Sequence, residues 1–265
     1  MLLCQISDLH VTASGQRLHG VVDTVACLER CVQRIIGLDP LPDLVVATGD
    51  LVDTPSARAY GQLREMLAKL PLPVYLLPGN HDERQALRAA FPDHRYLPRE
   101  GEFLQYAIDE HPVRLLALDT VVPGEAGGAL CAQRLQWLEQ QLRRSDAPTV
   151  IAQHHPPFRT GIAHMDRMGL EDASPLEQIV RRFPQVQRIV CGHLHRPIQA
   201  RFGATLATTC PSPAHQVMLD FNPGSAARLI MEPAAFQLHL WTGDALVSHT
   251  AYVEPYDGPY PFHGD

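Results

Sequence analysis

Met1-Leu-Leu-Cys-Gln-Ile-Ser-Asp-Leu-His10 places a short apolar run directly before a polar Asp-x-His cluster, and the same grammar recurs along the chain. Leu44 to Ala47 runs into Thr48-Gly49-Asp50, and Val74 to Leu77 into Pro78-Gly79-Asn80-His81-Asp82. Val150 to Ala152 is followed by Gln153-His154-His155-Pro156-Pro157, and Ile189 to Cys191 by Gly192-His193-Leu194-His195. Such runs, together with Leu115 to Leu118, read as buried strands. Amphipathic helices are predicted between them at Val21 to Ile36, Ala57 to Leu70, Ala132 to Leu142 and Pro175 to Phe183. Ser174, with Glu177 three residues on, is expected to cap the last of these. Alternating strands and helices make an α/β fold, in which ligand sites gather beyond the carboxyl ends of strands. The five polar clusters are therefore expected to meet.

From Ile198 onward the pattern turns to β, with strands expected at Ile198 to Phe202, Thr205 to Thr209, Gln216 to Phe221, Ala227 to Met231, Phe236 to Trp241 and Leu246 to Tyr252. No stretch demands a separate linker, so residues 1–265 read as one catalytic domain. Residues 198–265 form a β-rich carboxyl-terminal extension that caps the site, mediates oligomerisation or completes one monomer, ending in an irregular Pro-rich arm.

Hydrophobic residues at 45% and charged residues at 19% describe a globular chain, and no apolar run reaches the ~18 residues of a membrane span. A net charge of −7 with no basic stripe disfavours long nucleic acids and leaves small phosphorylated substrates open. Six cysteines without a Cys-x-x-Cys pair, and a start lacking a basic leader, fit reduced packing residues in a cytoplasmic protein. Neither a Gly-rich nucleotide loop nor a Gly-x-Ser-x-Gly elbow supports kinase or serine hydrolase chemistry.

The clusters contain Asp8, His10, Asp50, Asn80, His154, His193 and His195, seven oxygen or imidazole donors and no thiolate. Two divalent ions suit that inventory better than one, and the absence of sulfur favours Mn²⁺, Fe²⁺, Co²⁺ or Zn²⁺. Each cluster alone is weak, since Asp-x-His and His-x-His also occur in ordinary turns. Together, in this order, they resemble the signature of the calcineurin-like metallophosphoesterases, in particular the class III cyclic nucleotide phosphodiesterases and bacterial glycerophosphodiesterases, with similarity continuing through His215-Gln216-Val217.

That resemblance implies a four-layer α/β/β/α sandwich with carboxyl-terminal β additions. It implies one metal on Asp8, His10 and His195, another on Asn80, His154 and His193, and Asp50 bridging them. It further implies a metal-dependent hydrolase of small phosphodiesters, either 3′,5′-cyclic nucleotides or glycerophosphodiesters, attacked by a metal-activated hydroxide. A phosphomonoesterase and a non-catalytic scaffold are the alternatives. His81 follows a ligand and is expected to bind a phosphoryl oxygen or protonate the departing alkoxide, with Asp82 orienting its ring. Asn80 and His215 are further substrate contacts, and His155 is expected to support the metal ligands or to pack. His19 and Arg17 line the pocket or face water, and 158–172, carrying His164, Asp166 and Arg167, is a lid, a substrate wall or a solvated connection. Asp23 and Asp53 are expected to cap or flank helices, and Cys27 and Cys31 to pack. His94, His111, His239, His249 and His263 read as ordinary surface or strand residues.

Overall fold

The computed structural model describes residues 1–13 and 16–262, so His263 lies outside the described residues. The strands are β1 (Leu2–Ile6), β2 (Leu44–Thr48), β3 (Val74–Leu77), β4 (Tyr106–Ile108), β5 (Arg114–Ala117), β6 (Thr149–Ala152), β7 (Val186–Cys191), β8 (Gln199–Phe202), β9 (Thr205–Thr209), β10 (Gln216–Val217), β11 (Leu229–Ile230), β12 (Ala235–Trp241) and β13 (Leu246–Tyr252). The helices are α1 (Thr24–Ile36), α2 (Ala57–Leu67), α3 (Arg84–Ala90), α4 (Ala132–Arg143), α5 (Ala163–Asp166) and α6 (Ser174–Arg182).

Two large sheets form, in the orders β13-β12-β1-β2-β3 and β4-β5-β6-β7-β9-β8. Strands β1, β2 and β3 are mutually parallel, as are β5, β6, β7 and β9. The side-chain alternation of a strand explains the layering. On β5, Leu115 and Ala117 point into the core shared with β1, β2, β3, α1 and α2, whereas Leu116 points into a second core with Leu138 and Leu142 of α4 and Ile179 and Val180 of α6. Helices thus cover the outer face of each sheet, and the layers run α/β/β/α.

The chain after Ile198 largely completes these sheets. Strand β9 pairs parallel with β7, and β12 pairs antiparallel with β1 in the register Leu2↔Leu240 to Gln5↔Gln237. Among the described residues only the short β10–β11 hairpin stands apart, shrinking the expected strands at Gln216 to Phe221 and Ala227 to Met231 to two residues each.

Helix α1 begins at Thr24, because Asp23 caps it by accepting from Ala26 N, while Leu18 to Val22 closes a preceding turn. Ser174 is not a cap: it is the first helical residue of α6, its N–H donates to Asp172 Oδ1, and no side chain caps that helix. Helix α3, strand β4 and the one-turn α5 are too short to impose a periodicity and were not predicted. Five of the six free cysteines are buried as expected; Cys131 is instead exposed at the start of α4.

Candidate metal centre

Every predicted cluster follows the carboxyl end of a parallel strand, β1, β2 and β3 from one sheet and β6 and β7 from the other. The loops lock to each other across the sandwich. Asp8 N donates to Gly49 O (3.0 Å), His10 N to Asp50 O (2.9 Å), Gly192 N to His154 O (3.0 Å) and His193 N to Asp8 Oδ1 (2.9 Å). Asp8, His10, Asp50, His193 and His195 all adopt positive φ, between 43° and 71°. Left-handed backbone at five non-glycine residues of one site is strain held by the surrounding fold. Gly192 is required for the same closeness, since a Cβ there would meet Thr48 O at 2.8 Å and Asp8 Oδ2 at 3.0 Å.

Two of the imidazoles have an outward hydrogen bond that fixes the ring. His154 Nδ1 donates to Thr48 O (2.8 Å) and His195 Nδ1 to His215 O (2.9 Å), leaving both Nε2 atoms as acceptors directed inward. Around His195 Nε2 lie His10 Nε2 at 3.3 Å and Asp8 Oδ1 at 3.5 Å, and His10 Nε2 is 3.6 Å from Asp50 Oδ2. Around His154 Nε2 lie Asn80 Oδ1 at 3.0 Å and Asp50 Oδ2 at 3.4 Å. His193 Nε2 is buried without a hydrogen-bond partner. Donors about 2.0–2.2 Å from a common cation stand roughly 3.0–3.6 Å from one another, which is the spacing observed. Asp8, His10 and His195 group around one point, and Asp8, Asp50 and His154 around a neighbouring one. Facing acceptor nitrogens, two carboxylates with no Lys or Arg partner and an orphaned imidazole fit two divalent cations.

The electrostatics carry the same imprint. Burial pushes Asp8 up to about 6, with Asp50 adding to the rise and His154 opposing it. Burial also acts to raise Asp50, but His154, followed by His10 and His81, holds its carboxylate well below the usual range. Burial acts to lower His154, and Asp50 outweighs it, lifting the ring to about 9. Burial pushes His193 and His215 down to about 3.

Around these donors the structure revises several assignments. His81 is not oriented by Asp82; its Nδ1 donates to Asp53 O (2.8 Å), and its N–H to Asp50 Oδ1 (2.9 Å). Asp82 instead ties the loop together, accepting from Leu51 N, Gly79 N and the Tyr60 hydroxyl. Asp53 caps no helix: its Oδ1 lies 3.5 Å from His10 Nδ1 and 3.7 Å from His81 Nδ1. It was missed because an Asp three residues after Asp50 and three before Ser56 looks like helix punctuation. His155 is satisfied by Thr120 Oγ1 (2.8 Å) and Ala126 O (3.2 Å), which leaves it no free nitrogen for a metal. Next to Thr120, the Asp119 carboxylate holds Arg84 through two bonds and accepts from Leu104 N and Val121 N; nothing in its sequence context marks it.

Above the donors opens a cleft of about 450 Å³, lined by His10, Asp50, Asn80, His81, His193, His195 and His215. His19, His164, Met165 and Met168 line it, as do Val217, Arg228 and Leu229 of the β10–β11 hairpin. Arg17 and Arg167 do not. His215 packs over His195 with ring centroids 4.5 Å apart, and its Nδ1 is buried and unpartnered.

Residues 1–197 match the family model described as calcineurin-like phosphoesterase. The chain belongs to the calcineurin-like phosphoesterases. It is 35% identical to a probable glycerophosphodiester phosphodiesterase of Arcobacter nitrofigilis, covering 100% of this chain and 98% of the relative. It is 33% identical to a 3′,5′-cyclic adenosine monophosphate phosphodiesterase of Vibrio vulnificus, over 84% of this chain and 78% of the relative. A dimetal phosphatase from Danio rerio superposes with a TM-score of 0.67 at 15% identity, over 96% of each chain, and shares the fold.

Proposed function

We propose that this phosphoesterase hydrolyses small phosphodiesters, glycerophosphodiesters or 3′,5′-cyclic nucleotides, at a dinuclear centre. One ion would be held by Asp8, His10 and His195 and the other by Asn80, His154 and His193, with Asp50 available to both, the ions drawn from Mn²⁺, Fe²⁺, Co²⁺ and Zn²⁺. The observation that carries the reading is the convergence of these seven donors, five lining one cleft and Asp8 and His154 buried, with His81 on the cleft wall. The names borne by the relatives support the diester assignment. The six unpaired cysteines suit a reducing cytoplasm.

When bound, two divalent cations offset charge on the phosphoryl oxygens and lower the pKa of an attacking water. The chain's own residues supply the rest. Asp50 holds the His81 loop through the His81 N–H, so the ligand set and the candidate acid are built as one unit. With Nδ1 engaged by Asp53 O, only His81 Nε2 is free to hold a phosphoryl oxygen or carry a proton to the departing alkoxide. His215, tilted against His195 on the cleft wall, is the side chain that would meet a second phosphoryl oxygen.

Rates on bis(p-nitrophenyl) phosphate and p-nitrophenyl phosphate, measured with Mn²⁺ beside cyclic AMP and a glycerophosphodiester, test this. The diesters should be turned over faster; a clear preference for the monoester would replace the reading with a phosphomonoesterase, and hydrolysis of neither, with metal bound, with a scaffold.

A further inference from the structure

Two donors assigned to one ion arrive from opposite sheets. Asn80 lies on the loop after β3 and His154 on the loop after β6, yet Asn80 Oδ1 stands 3.0 Å from His154 Nε2. A buried series of bonds joins the same two loops a second time, through Arg84, Asp119, Thr120 and His155. Resting on the dinuclear reading, we propose that Arg84 and Asp119 are positioning residues, whose ion pair sets the spacing of Asn80 and His154 across the sheets so that the two can share one cation.

The geometry of the pair carries the assignment. Arg84, the first residue of α3, donates from Nε and Nη2 to the two carboxylate oxygens of Asp119 at 2.7 and 2.9 Å, and from Nη2 to Val121 O at 2.8 Å. Asp119, just beyond β5 of the other sheet, is fully buried and also accepts from Leu104 N and Val121 N. Arg134 Nη1 holds the same segment from its carbonyl side, at Asp119 O and Val121 O, and both guanidinium groups lie over the Phe103 ring. Because His155 Nε2 donates to Ala126 O, its Nδ1 accepts from Thr120 Oγ1, which carries the link to the residue beside His154. On the first sheet, the segment from Asn80 to Arg84 moves as one piece. The His81 N–H donates to Asp50 Oδ1, Asp82 accepts from Gly79 N and Leu51 N, and Glu83 caps α3 through Gln85 N and Ala86 N. Exchanging a buried ion pair for apolar residues is often neutral for stability, whereas a bidentate fork fixes two groups in one geometry. The Arg84–Asp119 fork therefore supplies geometry more than stability.

The test follows metal binding. Mn²⁺ titration of the metal-free full chain by calorimetry, with electron paramagnetic resonance to tell a lone ion from a coupled pair, should find two ions in the parent. Arg84→Lys keeps the charge but cannot hold both carboxylate oxygens and Val121 O, and Arg84→Met with Asp119→Asn removes both charges. Each variant should keep one ion within about twofold of the parent affinity and bind the other about 10–100-fold more weakly, the usual cost of losing a partner behind a ligand. Repeated in His195→Ala, which leaves the Asn80, His154 and His193 set, Arg84→Lys should show that full loss; in His193→Ala, which leaves Asp8, His10 and His195, it should show none. In NMR of metal-free protein, Arg84→Lys should shift the Asn80 side-chain amide and the His154 ring while the His10 and His195 rings stay in place. Leu142→Ala, which opens a cavity in the second core, is the control for lost stability alone and should leave both ions bound as in the parent. Equal weakening of both ions, unchanged binding, or the same loss in Leu142→Ala overturns the positioning role and leaves the dinuclear reading standing. A parent that binds fewer than two ions strikes that reading itself, and this proposal with it.

Discussion

Replacing Gly192 by Ala tests the account of how the two sheets are brought close enough to share one metal centre. The added Cβ would meet Thr48 O at 2.8 Å and Asp8 Oδ2 at 3.0 Å, with Ser7 Oγ nearer still. Ser7 can rotate away at the loss of its bond to Thr48 O, worth about 1 kcal/mol. Thr48 O cannot yield so easily: it ends β2 and accepts from His154 Nδ1. Overpacking of this kind costs about 1–3 kcal/mol, offset by about 0.5 kcal/mol because alanine restricts the unfolded chain. The net loss should be about 2–3 kcal/mol, or roughly 5–10 °C in Tm for a domain of this size. Displacing Asp8 by a few tenths of an ångström should also lower diester turnover about tenfold or more. Denaturant and thermal unfolding of metal-free protein, with turnover at saturating Mn²⁺, measure both effects. A variant within about 0.5 kcal/mol of the parent and fully active would refute the claim that this glycine is demanded by contact.

Asp50→Ala should abolish most turnover and lower bound metal at both positions, read by elemental analysis after gel filtration. His81→Ala should cut kcat by about 10²-fold or more while metal content stays near that of the parent, whereas metal loss would move His81 into the ligand set. Asp53→Ala, which removes the carboxylate beside His10 but spares the carbonyl bound to His81, should weaken metal affinity about tenfold by calorimetric titration. His239 is buried between Ser248 Oγ and Gln5 Oε1, and burial pushes it down to about 3. The unfolded chain takes up that proton first as pH falls, so the stabilisation is complete above about pH 6.5 and drains toward pH 3 at about 1 kcal/mol per pH unit. His239→Gln should flatten that slope in metal-free protein.

The sequence was most legible where local pattern and tertiary role coincide. Leu2 to Ile6, Leu44 to Thr48 and Val74 to Leu77 are apolar because both faces of their sheet are covered, and the polar residues that end them face the cleft because the strands are parallel. The polar clusters come together at one cleft for the same reason. Asp53 and Asp119 were illegible: their meaning depends on His10 and Arg84, partners that chain order does not reveal. Ser174 shows the converse, a good local capping signal overridden where Asp172 takes the first helical N–H. His155, adjacent to His154 and identical in kind, is set apart from it in the sequence by the family pattern alone, and the geometry, which gives both its nitrogens other partners, agrees.

The most direct test of the central claim is to strip the protein of metal, titrate it with Mn²⁺, and follow bound metal per chain together with hydrolysis of a diester. Two ions per chain, with diester hydrolysis rising from background as they bind, is the predicted result. Saturation at one ion or none, or diester hydrolysis that persists without metal, would contradict the dinuclear assignment of Asp8, His10, Asp50, Asn80, His154, His193 and His195.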